Sequence, residues 1–124
     1  MTTDDESLHL GLRAHACGRH SSTAAVELLI AHRRRLHPAD FRDRFLFTGT
    51  DFDTGEVTTC IDSPAAVMAL DRGRLPCPGS EARMLRVAAS IGEGVPVDLR
   101  EVLAELDAVN TALVARAVAR ATGH

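Results

Sequence analysis

The chain contains 124 residues, of which 45% are hydrophobic and 25% are charged. This length allows one domain of ordinary size, and the apolar fraction is sufficient for a buried core without disulfides or a structural metal. The formal net charge of −3 argues against the strongly positive field typical of proteins that bind nucleic acids or anionic membranes. We therefore expect a single compact domain over residues 1–124, with a disordered tail at residues 1–5.

The sequence also indicates a compartment. Residues 1–6 are polar and acidic, unlike a signal peptide, and no apolar run approaches the ~18 residues of a membrane span. The three cysteines, Cys17, Cys60 and Cys77, are too few and too scattered for a disulfide framework, which predicts reduced thiols. We therefore expect a cytoplasmic protein that does not contact a membrane.

The N-terminal third of the chain predicts three helices. A first helix is expected over residues 6–18. Ser21 or Ser22 can cap a second helix that runs to about residue 36, and Pro38 can open a short third helix. The spacing of apolar residues indicates the buried face of the second helix, which is formed by Ala25, Leu28, Leu29, His32 and Leu36.

Residues 45–61 predict a β-hairpin. Aromatic and β-branched residues lie on both sides of Asp53-Thr54-Gly55, a sequence typical of a tight turn. Every aromatic side chain of the protein lies in or beside this region, and we expect all of them to anchor the core. These residues are Phe41, Phe45, Phe47 and Phe52.

The next two helices are predicted from their capping residues. Ser63 followed by Pro64 is typical of an N-cap and a first-turn proline, and Gly73 is suited to the end of that helix. Ser80 is then expected to cap a helix over residues 81–91.

The C-terminal part continues with further predicted helices. Gly92 and Gly94 are expected to end the preceding helix. Asp98 is predicted to cap a helix rich in leucine, and Asp107 to cap a last, alanine-rich helix over residues 108–121. Together these patterns predict a mainly α fold of the α+β class, with about five to six short helices and one β-hairpin.

The C-terminal half of the chain resembles a group of small uncharacterised actinobacterial helical proteins. The resemblance rests on the segments Ser63-Pro64-Ala65-Ala66, Leu75-Pro76-Cys77, Glu81-Ala82-Arg83-Met84-Leu85-Arg86 and Val97-Asp98-Leu99-Arg100, followed by Leu106-Asp107. It implies a helical fold and an actinobacterial source, but no activity and no cofactor. The basic residues are all arginine, which is typical of a GC-rich genome and agrees with that source.

Histidines are concentrated near the N-terminus. Of the six in the chain, only His124 lies beyond residue 37. Cys17 and His20 have the spacing of half a zinc site, and a hairpin of the first two helices could bring His32 near them. Structural zinc sites have two paired half-sites, and the sequence contains only one. We therefore favour surface histidines, a buried His32 and no cofactor, with zinc bound by Cys17, His20 and His32 as the alternative.

Two further motifs are interpreted as structural. The segment from Asp51 to Asp62 partly imitates a calcium loop, but Glu56 replaces the glycine at position 6 and Asp62 replaces the glutamate at position 12. A plain hairpin turn is therefore favoured. Cys77 precedes a predicted helix, where a thiol can be activated, but no histidine is close to it in the sequence, so an inert cysteine is favoured.

Residues 81–122 are compatible with a helix-turn-helix that binds DNA. Arg116 and Arg120 share one helix face, four residues apart. The segment nevertheless contains five arginines and six acidic residues, whereas DNA affinity depends on positive charge collected on one face. DNA binding is therefore an alternative and not the leading hypothesis.

The sequence contains no phosphate-binding glycine loop, no Gly-x-Ser-x-Gly elbow and no His-Glu-x-x-His motif, so we expect a protein that is not an enzyme. The last helix has a wide apolar surface, which either closes the core or binds a partner or a second copy. We expect a non-catalytic accessory or regulatory protein that acts through protein–protein contacts. The alternative is a metal- or DNA-binding transcriptional regulator. The candidate interaction residues are Val109, Leu113, Arg116 and Arg120.

Overall fold

The computed structural model describes residues 4–32 and 38–124. These residues form a mainly helical structure with one antiparallel hairpin, which confirms the predicted α+β class. Seven helices occur within the described ranges, more than the expected total of about five to six, and each of them corresponds to a segment that the sequence pattern indicated. In chain order the elements are α1 (Asp4–Ala16), α2 (His20–His32), α3 (Ala39–Phe45), β1 (Leu46–Thr50), β2 (Val57–Ile61), α4 (Ser63–Asp71), α5 (Gly79–Glu93), α6 (Leu99–Leu103) and α7 (Ala108–Ala121).

Helix α2 is the centre of the fold. It packs against α5 and α7 and also contacts α1. Because neighbours cover it on several sides, its buried surface is broader than the single stripe predicted from the sequence. The predicted residues Ala25, Leu28, Leu29 and His32 are buried, and so are Ala24, Val26 and Ile30.

Helix α1 packs on the β-hairpin through a glycine. Gly11 is buried, and a β-carbon on it would lie 3.1 Å from the β-carbon of Thr59 and closer still to the Thr59 hydroxyl oxygen. The absence of a side chain on Gly11 therefore lets the backbone of α1 approach β2. The hairpin register pairs Thr48 with Thr59, and the hydroxyl oxygens of these two residues lie 3.3 Å apart.

Only two of the four aromatic side chains belong to the core, which corrects the sequence prediction. Phe41 is 0% and Phe45 5% exposed, and their ring centroids lie 5.2 Å apart. Phe47 is 53% exposed, because strand residues alternate between faces and its neighbour Thr48 takes the face toward α1. Phe52 is fully exposed because it lies in the turn between the strands.

The caps of the middle helices differ slightly from those predicted. Asp62, not Ser63, caps α4, and its carboxylate accepts a hydrogen bond from the Ala65 amide at 3.1 Å. Helix α5 begins at Gly79, one residue before the expected cap Ser80. Asp62 precedes Ser63 and provides a charged acceptor, which explains why the cap moves by one residue.

The predicted C-terminal boundaries agree better with the structure. Asp98 caps α6 and Asp107 caps α7, each accepting a hydrogen bond from a backbone amide in the first turn. Gly94 ends α5 in the left-handed conformation, with φ of 69°. Gly92, which was expected to stop this helix, lies within it.

The helix boundaries in the N-terminal part of the chain agree only in part with the predicted ones. Helix α1 begins at Asp4, two residues before the predicted start at residue 6, and residues 1–3 of the predicted tail lie outside the described residues. The predicted extension of α2 to Leu36 also lies outside them, together with the Arg33–Arg35 cluster and His37. None of the helices that the structure describes is long and apolar enough to cross a membrane.

Candidate functional site

The three candidate zinc ligands do not come together. Cys17 is exposed in the turn between α1 and α2, and His20 is exposed at the start of α2. His32 is buried at the other end of the same helix, about 18 Å away along its axis. Over residues 4–32 and 38–124, no group of three or more histidine, cysteine or acidic side chains could hold a metal ion.

The four candidate interaction residues lie along α7 in different environments. Val109 is 71% exposed, while Leu113 is half-buried and packs against the core. Arg116 is exposed and Arg120 is half-buried. The structure thus brings the last three together at one groove, with Val109 one helical turn further toward the N-terminus of α7.

This groove lies between α2 and α7, and we call it the α2–α7 groove. It has a volume of about 220 Å³. Its floor is apolar and its rim is charged, with one acidic and three basic side chains. The lining residues are Arg13, Glu27, Leu28, Ile30, Ala31, Leu113, Arg116, Ala117 and Arg120.

The charges of the α2–α7 groove do not balance. The guanidinium of Arg13 donates two hydrogen bonds to the carboxylate of Glu27, at 2.6 Å and 3.2 Å, and these bonds raise the pKa of Arg13. Arg116 and Arg120 make no ion pair with any residue that the structure describes. Because Arg13 already neutralises Glu27, the one acid among the described lining residues, two positive charges remain available.

The positive surface continues beyond the α2–α7 groove. Arg120 also lines a neighbouring depression where the start of α2 meets the end of α7. Arg19, His20 and His124 lie around the same depression. The groove and this depression therefore form one adjoining region that contains four arginines, Arg13, Arg19, Arg116 and Arg120, in a chain whose net charge is −3.

A second concavity lies on the opposite face of α2, between α1, α2, β2 and α5, and we call it the α1–α5 cleft. It has a volume of about 120 Å³. Its walls are apolar, and polar groups lie around it, including Ser22 of α2, Cys60 of β2 and Ser63 at the start of α4. The wall residues are Leu12, Ala16, Ala25, Val26, Leu29, Ile61 and Ala88.

The rim of the α1–α5 cleft carries charges of both signs. His15 and Arg19 lie on one part of it, and Glu93 lies at the end of α5. Burial raises the pKa of Glu93, and the nearby carboxylate of Asp62 raises it further, while His15 and Arg19 partly oppose this change. A carboxyl group with a shifted pKa at the mouth of a cleft is a recognised marker of a functional site.

Sequence reasoning missed this cleft. Its rim combines residues from distant parts of the chain, and Glu93 stands between two glycines in a segment that indicates only the end of a helix. The crowding of histidines included His15 but did not indicate its partners. No local pattern in the sequence could have joined His15 to Glu93, because only the packing of α1 against α2 and β2, and of α2 against α5, brings them together.

Other polar clusters are internally neutralised. Arg86 pairs with Asp71 at 2.7 Å, and Arg83 pairs with Glu105. Both arginines line a polar depression between α5 and α6, where each arginine is held by a carboxylate and is less available to a ligand. In the hairpin loop, the Asp51 carboxylate accepts hydrogen bonds from the amides of Asp53 and Thr54.

Comparisons of the chain with models of known protein families, with curated proteins and with solved structures find no match. We therefore infer function from the chemistry of the α2–α7 groove and the α1–α5 cleft.

Proposed function

We propose that this protein is a non-catalytic accessory or regulatory factor of the cytoplasm, which binds an acidic, partly apolar segment of a partner protein in the α2–α7 groove. The observation that supports the proposal is the pair Arg116 and Arg120, which have no ion-pair partner among the described residues and stand over an apolar floor. Arginine is enriched among the residues that contribute most to protein–protein affinity.

The spacing of the two arginines suggests the pattern that they recognise. Residues four apart on a helix have β-carbons about 6 Å apart on the same face. Two carboxylates with the same spacing on a partner helix would each meet one guanidinium, and guanidinium–carboxylate contacts are strong and directional. An apolar side chain between the two acids would pack on Leu113 and Ile30, which line the floor.

DNA binding through the same arginines is the competing hypothesis. A protein ligand is favoured because the floor of the groove is apolar, whereas DNA affinity comes mainly from phosphate contacts. The net charge of −3 also opposes the approach of a polyanion but is less unfavourable for a short acidic segment. A second copy of the chain is the third candidate for the groove, since Val109 and Val118 expose apolar surface elsewhere on α7.

The test compares two charge-reversal variants. The groove variant is Arg116→Glu/Arg120→Glu. The matched control is Arg72→Glu/Arg100→Glu, which reverses two exposed arginines, one directly after α4 and one in α6, that also lack ion pairs with described residues. The probe is a short fluorescent helical peptide with two glutamates four positions apart and a leucine between them. Its affinity for each protein is measured by fluorescence anisotropy at low salt. A DNA duplex and a peptide with arginine in place of glutamate are measured separately under the same conditions.

The wild-type protein should bind the acidic peptide, and the groove variant should weaken this binding at least about tenfold. The control should retain it. Equal loss in both variants, or preference for the duplex, would contradict the proposal. Light scattering on the wild-type protein tests whether a second copy of the chain occupies the groove. A stable dimer that the groove variant dissociates would identify a second copy as the partner.

A further inference from the structure

The α1–α5 cleft combines an apolar interior with an opening that faces solvent. Its volume of about 120 Å³ is slightly smaller than an apolar cavity of about 150 Å³ that accepts benzene. The interior therefore suits an aliphatic group of about four carbon atoms. The walls provide no charged group toward such a tail, because the charged side chains lie at the rim.

The rim presents two opposite charges that are not paired with each other. Neither Glu93 nor Arg19 makes an ion pair within the part of the chain that the structure describes. Arg19 is held in place by one hydrogen bond, from its guanidinium to the carbonyl oxygen of His15 at 3.2 Å. Its remaining donors are available to an anion, since a guanidinium has several N–H groups.

The carboxylate side of the rim is equally open to a cation. Asp62, which lies near Glu93, uses one carboxylate oxygen to cap α4, so Glu93 is the acid better placed to bind a ligand. The partial burial of Glu93, and then the repulsion from Asp62, disfavour its ionised form. A ligand cation at this position would relieve that cost.

From this arrangement we infer that the α1–α5 cleft binds a free α-amino acid with a branched aliphatic side chain. The side chain of the ligand fills the apolar interior. Its carboxylate accepts hydrogen bonds from Arg19, with His15 beside it, and its ammonium group donates to Glu93. A zwitterion satisfies both charges of the rim, whereas a simple fatty acid or amine satisfies only one and leaves the other desolvated.

This site is independent of the proposed partner-binding groove. The α1–α5 cleft is lined by Ser22, Ala25, Val26 and Leu29 of α2. The α2–α7 groove is lined by residues on the opposite face of that helix. Failure of one proposal therefore leaves the other intact.

Isothermal titration calorimetry with L-leucine tests the inference. Three analogues each remove one feature of the ligand: 4-methylpentanoate lacks the ammonium group, 3-methylbutylamine lacks the carboxylate, and glycine lacks the side chain. The variants Arg19→Gln and Glu93→Gln each remove one charge of the rim. Both side chains are mostly exposed, although Glu93 is partly desolvated, and circular dichroism checks that the variants fold. Glu56→Gln, in the exposed hairpin loop, is the control.

Leucine should bind wild-type protein and the control, and all three analogues should bind at least about tenfold more weakly. Glu93→Gln should weaken leucine binding while leaving 4-methylpentanoate unchanged or stronger. Arg19→Gln should weaken leucine and 4-methylpentanoate but not the amine. Absence of saturable leucine binding, or equal affinities in wild type and both variants, overturns the inference.

Discussion

Gly92 of α5 lies directly against Ala25 of α2, so that a β-carbon on Gly92 would come within 2.8 Å of the Ala25 β-carbon. No real side chain tolerates such a contact without a shift of the backbone. Both residues also line the α1–α5 cleft. The close crossing of the two helices therefore stabilises the core and fixes the position of Glu93, which follows Gly92 directly.

The variant Gly92→Ala should lower the free energy of unfolding by about 1 kcal/mol, measured by urea denaturation. Overpacking typically costs about 1–3 kcal/mol, and the better helix propensity of alanine returns up to about 1 kcal/mol. Gly49→Ala is the matched control, since a β-carbon there meets nothing within 4 Å.

A double variant identifies the cause of that loss. Ala25→Gly removes the opposing methyl group, so the combination with Gly92→Ala should show a favourable coupling of about 1 kcal/mol. Additive effects of the two substitutions would show that the predicted clash is absent.

Gly92 also illustrates where sequence reasoning succeeds and where it fails. A glycine near the end of a helical pattern predicts a stop, and one such stop does occur two residues later at Gly94. The reason for Gly92 is a contact with Ala25, far away in the sequence, which no local pattern contains. Helix caps such as Asp98 and Asp107 could be predicted, because a cap depends only on its own first turn.

The two proposed binding surfaces also differ in how far they could be predicted from the sequence. Leu113, Arg116 and Arg120 could be identified from their spacing on one helix face, since all three belong to a single element. The neutralisation of Glu27 by Arg13 in the same groove could not be predicted, because it depends on how α1 and α2 pack. For the same reason the rim of the α1–α5 cleft, assembled from several elements, could not be predicted.

The aromatic side chains should differ sharply in their contribution to stability. Phe41 is fully buried, so Phe41→Ala should lower the free energy of unfolding by about 3–5 kcal/mol. Phe52 lies in the exposed loop, so Phe52→Ala should change it by less than about 0.5 kcal/mol. Chemical denaturation of the two variants measures the difference. A large loss for Phe52→Ala would mean that this side chain is covered in solution, for instance by a second copy of the chain.

The cap of the last helix should contribute measurably to stability. The Asp107 carboxylate accepts a hydrogen bond from the Asn110 amide at 2.7 Å. Asp107→Ala should therefore lower the free energy of unfolding by about 1 kcal/mol, while Asp107→Ser should retain most of it. Equal losses for alanine and serine would indicate that the cap hydrogen bond is not the cause. Hydrogen exchange should show the extra opening of the alanine variant in the first turn of α7.

Stability should depend on pH through Glu93. Its pKa is raised by burial first and by Asp62 second, against the opposing effects of His15 and Arg19. The folded state therefore holds this proton more tightly than the unfolded chain does. The resulting stabilisation is fully present below the unfolded pKa of about 4.3 and is lost as pH rises through the folded pKa.

Glutamine at position 93 cannot ionise. The stability of the Glu93→Gln variant relative to wild type should therefore increase as pH rises from about 4 to about 7. Thermal unfolding of both proteins across this range measures the gain. Asp62→Asn retains a capping side chain for α4 but removes the repulsion. In a protein that carries Asp62→Asn, the pH-dependent gain from Glu93→Gln should therefore be smaller. A gain that stays constant with pH would refute the assigned environment of Glu93.

The ion pair between Arg13 and Glu27 should affect binding more than stability. Arg13 is 47% exposed at its side chain, and exposed ion pairs contribute at most about 1 kcal/mol to folding. Glu27→Gln should therefore leave the unfolding midpoint nearly unchanged. It removes the one negative charge among the described residues of the α2–α7 groove and releases Arg13, so affinity for the acidic peptide should rise severalfold at low salt and lose this gain at high salt. Asp98→Asn changes the net charge equally at α6, where Asn keeps the helix cap, and should leave the affinity unchanged. An equal rise in both variants would mean that total charge, not the groove, governs binding.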